Sequence, residues 1–176
     1  MPELLIRIKK KSDGSAALSA VRADGTTTWQ RQEGQLGRFF PLHDLTHYAV
    51  ETTLGFRRAF FGLLAEGWDL SDFGKTSSKN LQLGEAGLAE VIVGFFDLER
   101  ATGIVETADA LGDRIRSYYG DRGLSCPECS ITQDQVARIR ERRAELFASW
   151  RALPAGQAIQ LPFDRSGLPQ LTGSST

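Results

Sequence analysis

The chain lacks the cysteines of a disulfide-stapled protein and has no excess of charge of either sign. It has 176 residues with two cysteines and two histidines, and its formal net charge at pH 7 is -1. Two cysteines are too few to build a disulfide scaffold. A balance of 21 basic and 22 acidic side chains provides no general electrostatic attraction to nucleic acid or to an anionic membrane surface. We therefore expect no nucleic-acid partner.

Long apolar runs are also missing, because charged residues such as Arg57 and Arg58 interrupt every candidate. A helix that spans a bilayer needs about 20 apolar residues. The N-terminal sequence MPELLIRIKKK places its charges after a short apolar run, whereas a signal peptide begins with them. These absences predict a cytoplasmic protein without a membrane partner. Other partners, including a second copy of the chain in a homo-oligomer, stay unknown from the sequence.

The N-terminal part of the chain has the period-two pattern of β-strands. Apolar residues alternate with others along the first segment: Leu4, Ile6 and Ile8. Such alternation is typical of a half-buried strand. Asp-Gly pairs at 13–14 and 24–25 predict two hairpin turns, because glycine adopts positive φ without steric cost. Residues 1–33 are thus predicted to form a three-stranded antiparallel meander, and 157–163 is a candidate fourth strand that returns to it.

Apolar residues at three- and four-residue steps dominate the middle of the chain, from 40 to 153. This spacing predicts amphipathic helices, about five in number. Pro41 fits the first turn of one helix and Gly55 its end. Thr132 and Gln135 form a capping box that begins the last helix.

The order of these segments, strands first and helices after, predicts an α+β fold in which the meander packs with a helical bundle. We expect one domain over residues 1–170, followed by a disordered tail at 171–176. The segment 68–80 is polar and is predicted to be a loop.

Both histidines lie in one short stretch, FPLHDLTHYAVE, four residues apart. Residues four apart on a helix share a face, so His43 and His47 can offer two ring nitrogens to one ion, and Glu51 extends the row. Glu90, on another predicted helix, is a candidate carboxylate ligand beside them. The sequence therefore predicts a divalent metal site, with zinc the first choice. Asp44 is the candidate catalytic residue, which would orient a histidine or take a proton.

Two other interpretations of this row stay open. In the first, His43 and His47 are satisfied core or rim histidines, because the surrounding apolar residues already supply the buried face of a helix. In the second, the protein is a non-enzymatic interaction or dimerisation module without a metal, and its apolar helices form the partner surface.

The pattern His43-Asp44-x-x-His47 resembles the H-E-x-x-H motif of zinc peptidases. In that family the carboxylate between the histidines activates the zinc-bound water, so the resemblance implies a metal-dependent hydrolase. The pattern departs from the motif in two ways. Asp44 is one methylene shorter than glutamate, and the sequence assigns no third ligand.

A second resemblance covers the chain from about Leu4 to Arg100. The stretches FFPLHDLTHYAVE, LGFRRAFFGLLAEGW and GEAGLAEVIVGFFDLER resemble a family of small uncharacterised bacterial proteins. That family has no established activity, so the resemblance implies no catalytic residues. It implies only that the chain is a complete, stand-alone protein.

The two cysteines form a C-P-E-C pair, Cys126 and Cys129. Thiolates at this spacing can chelate zinc or form a redox disulfide. A structural zinc site needs four ligands, and His43 and His47 are the other soft or borderline ligands of the chain. One hypothesis is therefore a structural zinc site of all four residues. The alternative is that both cysteines are free, as is usual in a cytosolic protein.

Overall fold

The N-terminal meander and the returning C-terminal segment form one antiparallel sheet. The computed structural model describes residues 1–75 and 84–169. Its strands are β1 (Leu4–Lys10), β2 (Ala16–Arg22), β3 (Thr27–Gln32) and β4 (Ala158–Phe163). Their order across the sheet is β3-β2-β1-β4, and all neighbours are antiparallel. The α+β class and the candidate fourth strand are confirmed.

The alternating apolar side chains of β1 all lie on the buried face of the sheet. Three of its apolar side chains are fully buried: Leu4, Ile6 and Ile8. The register places Ile6 opposite Ala20 of β2 and Leu161 of β4, both also buried. Each hairpin turn contains a glycine at positive φ, Gly14 at 80° and Gly25 at 85°, as the Asp-Gly pairs predict.

The described residues contain six α-helices: α1 (Leu36–Leu54), α2 (Phe60–Ala65), α3 (Leu70–Lys75), α4 (Glu85–Thr102), α5 (Ala108–Gly120) and α6 (Gln133–Ala152). A short 3-10 helix follows at Arg165–Gly167. Helix α1 packs against α4 and α6 and also contacts β2 and β3. It therefore lies where the sheet meets the helices. None of the described helices combines the length and the apolar character that a membrane crossing requires.

Helix α3 occupies part of the segment that the sequence predicts as a polar loop. It is held by a contact distant in sequence, because the backbone N–H of Leu70 donates to Oγ1 of Thr28 at 3.0 Å. The side chain of Leu70 is buried in the core. The rest of the predicted loop, 76–80, and the predicted tail, 171–176, lie outside the described residues.

The end of α1 agrees with the sequence and its start does not. The helix ends at Leu54, where Gly55 takes a left-handed conformation with φ 78°. It begins at Leu36, so the prediction that Pro41 occupies the first turn is wrong. A proline removes one helical hydrogen bond, here the bond to Gly37 early in the helix, and α1 continues past it.

Candidate metal centre

Both histidines lie on the side of α1 that meets α4. Their ring centroids are 4.8 Å apart and the ring planes cross at 74°. The side chain of His47 is 2% exposed and that of His43 is 18% exposed. On the inner side, the His47 ring contacts Phe60 of α2, with centroids 5.3 Å apart. The pair is therefore buried at one end and reaches solvent at the other.

Glu90 of α4 joins the two histidines. Its Oε1 lies 3.3 Å from Nε2 of His47. His43, His47 and Glu90 are close enough to hold a metal ion together, because one ligand atom from each residue lies within 4.8 Å of the other two. The described ranges contain no other such group of histidine, cysteine or acidic residues. The Glu90 side chain is 55% exposed, so the group is open on that side.

A carboxylate that the sequence did not indicate holds the ring of His43. Oδ2 of Asp97, also on α4, lies 2.7 Å from Nδ1 of His43, and both side chains are largely buried. Asp97 is seven residues after Glu90, which is two helical turns, so both point from one face of α4 towards α1. The other carboxylate oxygen of Asp97 contacts Arg100 at 3.3 Å.

Glu51 has the same relation to His47. Its Oε1 lies 3.1 Å from Nδ1 of His47, and its Oε2 accepts the backbone N–H of Phe61 at 3.0 Å. The side chain is completely buried. Glu51 was predicted as a ligand, but it lies behind the ring and outside the group that is close enough to hold an ion. It instead fixes the histidine to the first turn of α2.

These contacts favour the same tautomer in both imidazoles. A carboxylate bound at Nδ1 favours the tautomer with the proton on Nδ1, and this leaves the lone pair on Nε2. Histidines that ligate metals almost always have such a partner on the second nitrogen. Asp97 for His43 and Glu51 for His47 thus prepare both Nε2 atoms for a ligand beside Glu90.

The surroundings of His47 favour a proton on its ring. Burial lowers the pKa of His47, but the charge of Glu90, the hydrogen bonds to Glu51 and Glu90 and the charge of Glu51 outweigh burial and raise it to about 10. Burial raises the pKa of Glu90, but the charge of His47, its hydrogen bond and the charge of His43 hold it below the ordinary value. At neutral pH His47 is therefore an imidazolium beside the Glu90 carboxylate. Burial raises the pKa of Glu51, although the hydrogen bond and charge of His47 and the backbone N–H of Phe61 act in the opposite direction.

Asp44, the candidate catalytic residue, lies beside the histidines without contacting either ring by a hydrogen bond. Its Oδ2 accepts Nε2 of Gln32 at 2.7 Å. Burial raises the pKa of Asp44 to about 6, although the hydrogen bond from Gln32 and the charges of His43 and His47 act in the opposite direction. Asp97 and Glu51, rather than Asp44, contact the ring nitrogens and can orient the histidines. Gln32 was missed, since it lies on β3.

A pocket of about 560 Å³ opens onto the centre. Much of its wall is aromatic: Trp29, Phe40, Phe60 and Phe73. His43, Asp44, His47, Glu90 and Gln32 all contribute to the same wall. The combination of an apolar wall with a few convergent polar groups is typical of small-molecule sites, and the volume lies within their usual range of about 300–1,000 Å³.

The cysteines lie elsewhere. Cys126 and Cys129 are both free and pack against the hydrophobic core. Neither is in the group that could hold a metal ion, so the four-residue zinc site with His43 and His47 does not form in the described structure. Burial, together with Cys126, raises the pKa of the Cys129 thiol to about 11, so this thiol is protonated at neutral pH.

Comparison of the chain with protein-family models, with curated proteins and with solved structures finds no significant match. The chemistry of the centre is therefore argued from its geometry.

Proposed function

We propose that the protein binds one divalent metal ion, zinc, through His43, His47 and Glu90, and that it is a metal-dependent hydrolase. The observation that carries this proposal is the pair of carboxylates at Nδ1, Asp97 on His43 and Glu51 on His47. One buried imidazole–carboxylate pair is common in a core. Two such pairs with adjacent rings and a third carboxylate at the free nitrogen match the ligands and the outer shell of a zinc site.

The ligand set favours catalysis over a structural role. Structural zinc sites have four protein ligands, whereas catalytic sites have three and leave one position for water, as in His₂Glu sites. A zinc ion in such a site lowers the pKa of its water to about 7 and so supplies a hydroxide at neutral pH. Here three ligands converge, and the side of Glu90 is open to the pocket. Asp44, in the wall of that pocket, is the candidate proton acceptor.

The first test is a zinc titration of the tag-free protein by calorimetry. We expect one zinc per chain in the native protein. Glu90→Gln should bind zinc at least about tenfold more weakly, because a neutral amide is a poorer ligand. Glu141→Gln makes the same change at an exposed position of α6 and should bind like the native protein.

NMR of the histidine rings is a second test of zinc binding. The chain contains two histidines, and both belong to the centre. Long-range ¹⁵N spectra of the imidazoles therefore show these two rings alone, and zinc should shift the Nε2 signals of both. Native protein that binds no stoichiometric zinc, or zinc that leaves either ring unchanged, would contradict the proposal.

Glu51→Gln is expected to weaken zinc binding by about 10- to 100-fold, the usual effect of losing an outer-shell partner. The Glu51 carboxylate accepts hydrogens from two sides, His47 and Phe61. A glutamine has one acceptor atom. If its oxygen keeps the Phe61 N–H, its amino group faces Nδ1 of His47 and forces the proton onto Nε2, where zinc would bind.

The matched control for this variant is Glu85→Gln. The Glu85 carboxylate also accepts backbone N–H groups, those of Arg57 and Arg58, but it is not part of the metal centre. Its amide variant should therefore keep the native zinc affinity. Equal zinc affinities of the Glu51→Gln and Glu85→Gln variants would show that Glu51 has no role in preparing His47.

A further inference from the structure

The side chain of Gln32, at the end of β3, has a hydrogen-bond partner for its amide nitrogen. Among the described residues it has none for its amide oxygen. Its Nε2 donates to Oδ2 of Asp44 at 2.7 Å. Its Oε1 is buried and has no hydrogen-bond partner in the part of the chain that the structure describes. The residue is 5% exposed. A buried carbonyl oxygen without a partner is unfavourable, and such atoms in proteins usually meet a water, an ion or a ligand.

The neighbouring carboxylate fixes which amide atom is left over. An ionised aspartate accepts hydrogen bonds and does not donate them, so the amino group of Gln32 must face Asp44. The free atom is therefore an acceptor. Its complement is an N–H or O–H group.

Gln32 belongs to the wall of the pocket that contains the metal centre. Gln32 and Asp44 line it together with His43 and His47. The remaining wall is largely aromatic, as in pockets that hold an apolar or aromatic group by its faces. A ligand that is complementary to this pocket needs an apolar group for the aromatic wall, a hydrogen-bond donor for Gln32 and an oxygen that a metal can polarise.

We propose that the pocket binds carboxamides with an aromatic-sized apolar group, and that the amide N–H donates to Oε1 of Gln32. The inference rests on the proposed function, since the carbonyl oxygen of the same amide is the atom for the metal. An ester has the carbonyl but no N–H, so the free acceptor favours amides. In the hydrolysis of an amide, water supplies the new carbon–oxygen bond, the carbon–nitrogen bond breaks, and the water's proton passes to the leaving amine.

The test uses two probes that differ only in the substituent on the amide nitrogen. Benzohydroxamic acid carries a phenyl ring, a zinc-chelating group and an N–H, and N-methylbenzohydroxamic acid has a methyl group in place of that hydrogen. On the zinc-loaded native protein we expect the N–H probe to bind about tenfold more tightly, the usual effect of one hydrogen bond to a buried acceptor. In the Gln32→Met variant the ratio of the two affinities should fall to about one.

The matched control is Gln160→Met. Gln160 is an exposed glutamine of β4 and is not among the residues that line the pocket. This variant should keep the native ratio. Gln32→Lys is the second test variant, because a lysine ammonium can still donate to Asp44 and offers no acceptor. An N–H preference that is unchanged in both Gln32 variants would overturn the inference.

The failure of this inference and the failure of the proposed function give different results. Zinc binding is measured first and without any probe. If zinc does not bind, benzamide and N,N-dimethylbenzamide are compared on the metal-free protein by ligand-observed NMR. A preference for benzamide that disappears in Gln32→Met would support the amide pocket without a metal. Equal binding of the two amides, or no binding of either, would overturn it.

Discussion

The affinity of the protein for zinc is expected to rise about a hundredfold between pH 6 and pH 8. Zinc must displace the proton that His47 holds between Glu51 and Glu90, and the pKa of His47 in the metal-free protein is about 10. Below that pKa each pH unit towards acid lowers the apparent affinity about tenfold, because the proton and the metal compete for one lone pair. The pKa of Glu90 lies below its ordinary value, so this carboxylate holds no proton in that range.

The measurement is a zinc titration at pH 6, 7 and 8 in two buffers of different ionisation enthalpy. The enthalpy difference between buffers counts the protons released, and we expect at least one for each zinc bound. Removing the charge of Glu90 with Glu90→Gln should lower the pKa of His47 and flatten the pH dependence, whereas Glu141→Gln should leave the slope unchanged. An affinity that varies less than about threefold across this range would mean that His47 is not a ligand.

The parts of the fold that local chemistry dictates could be predicted from the sequence. Alternating Leu4, Ile6 and Ile8, together with the two Asp-Gly turns, defines the meander, and Gly55 defines the end of α1. Helix α3 could not be predicted in the same way. It is short and polar, and it is held by the contact between Leu70 and Thr28, which are 42 residues apart in the chain.

The candidate site also has residues that the sequence predicts and residues that it does not. His43 and His47 share a helix face because they are one turn apart, and this is visible in the sequence. Glu51 continues the spacing, but each step of four residues turns about 40° further around the helix, so by Glu51 the row has rotated about 80° from His43. That rotation is consistent with Glu51 lying behind the ring of His47.

Other residues of the site belong to different elements. Asp97 reaches His43 from α4, and Gln32 reaches Asp44 from β3. Such contacts depend on how the helix and the sheet pack, and a single sequence carries no direct signal for them. The seven-residue spacing of Glu90 and Asp97 on one helix was the available hint, because it places two carboxylates on the same face.

Asp44→Asn is expected to stabilise the metal-free protein by about 3 kcal/mol at pH 7. Burial raises the pKa of Asp44 from 3.8 to about 6, and each pKa unit corresponds to about 1.4 kcal/mol. The folded pKa is the higher one, so the folded state is penalised wherever the unfolded chain is already ionised. The penalty is full above pH 6, about half at pH 5 and below about 1 kcal/mol at pH 4, and the advantage of asparagine should follow this curve.

Urea denaturation across this pH range measures the effect, and Asp109→Asn at an exposed position of α5 is the control, with a change within about 0.5 kcal/mol. A constant difference between Asp44→Asn and the native protein at all pH values would contradict a raised pKa. Zinc should reduce the difference, because a nearby cation favours the ionised carboxylate. We propose the role of proton acceptor for Asp44, and this role would fit its position in the pocket wall.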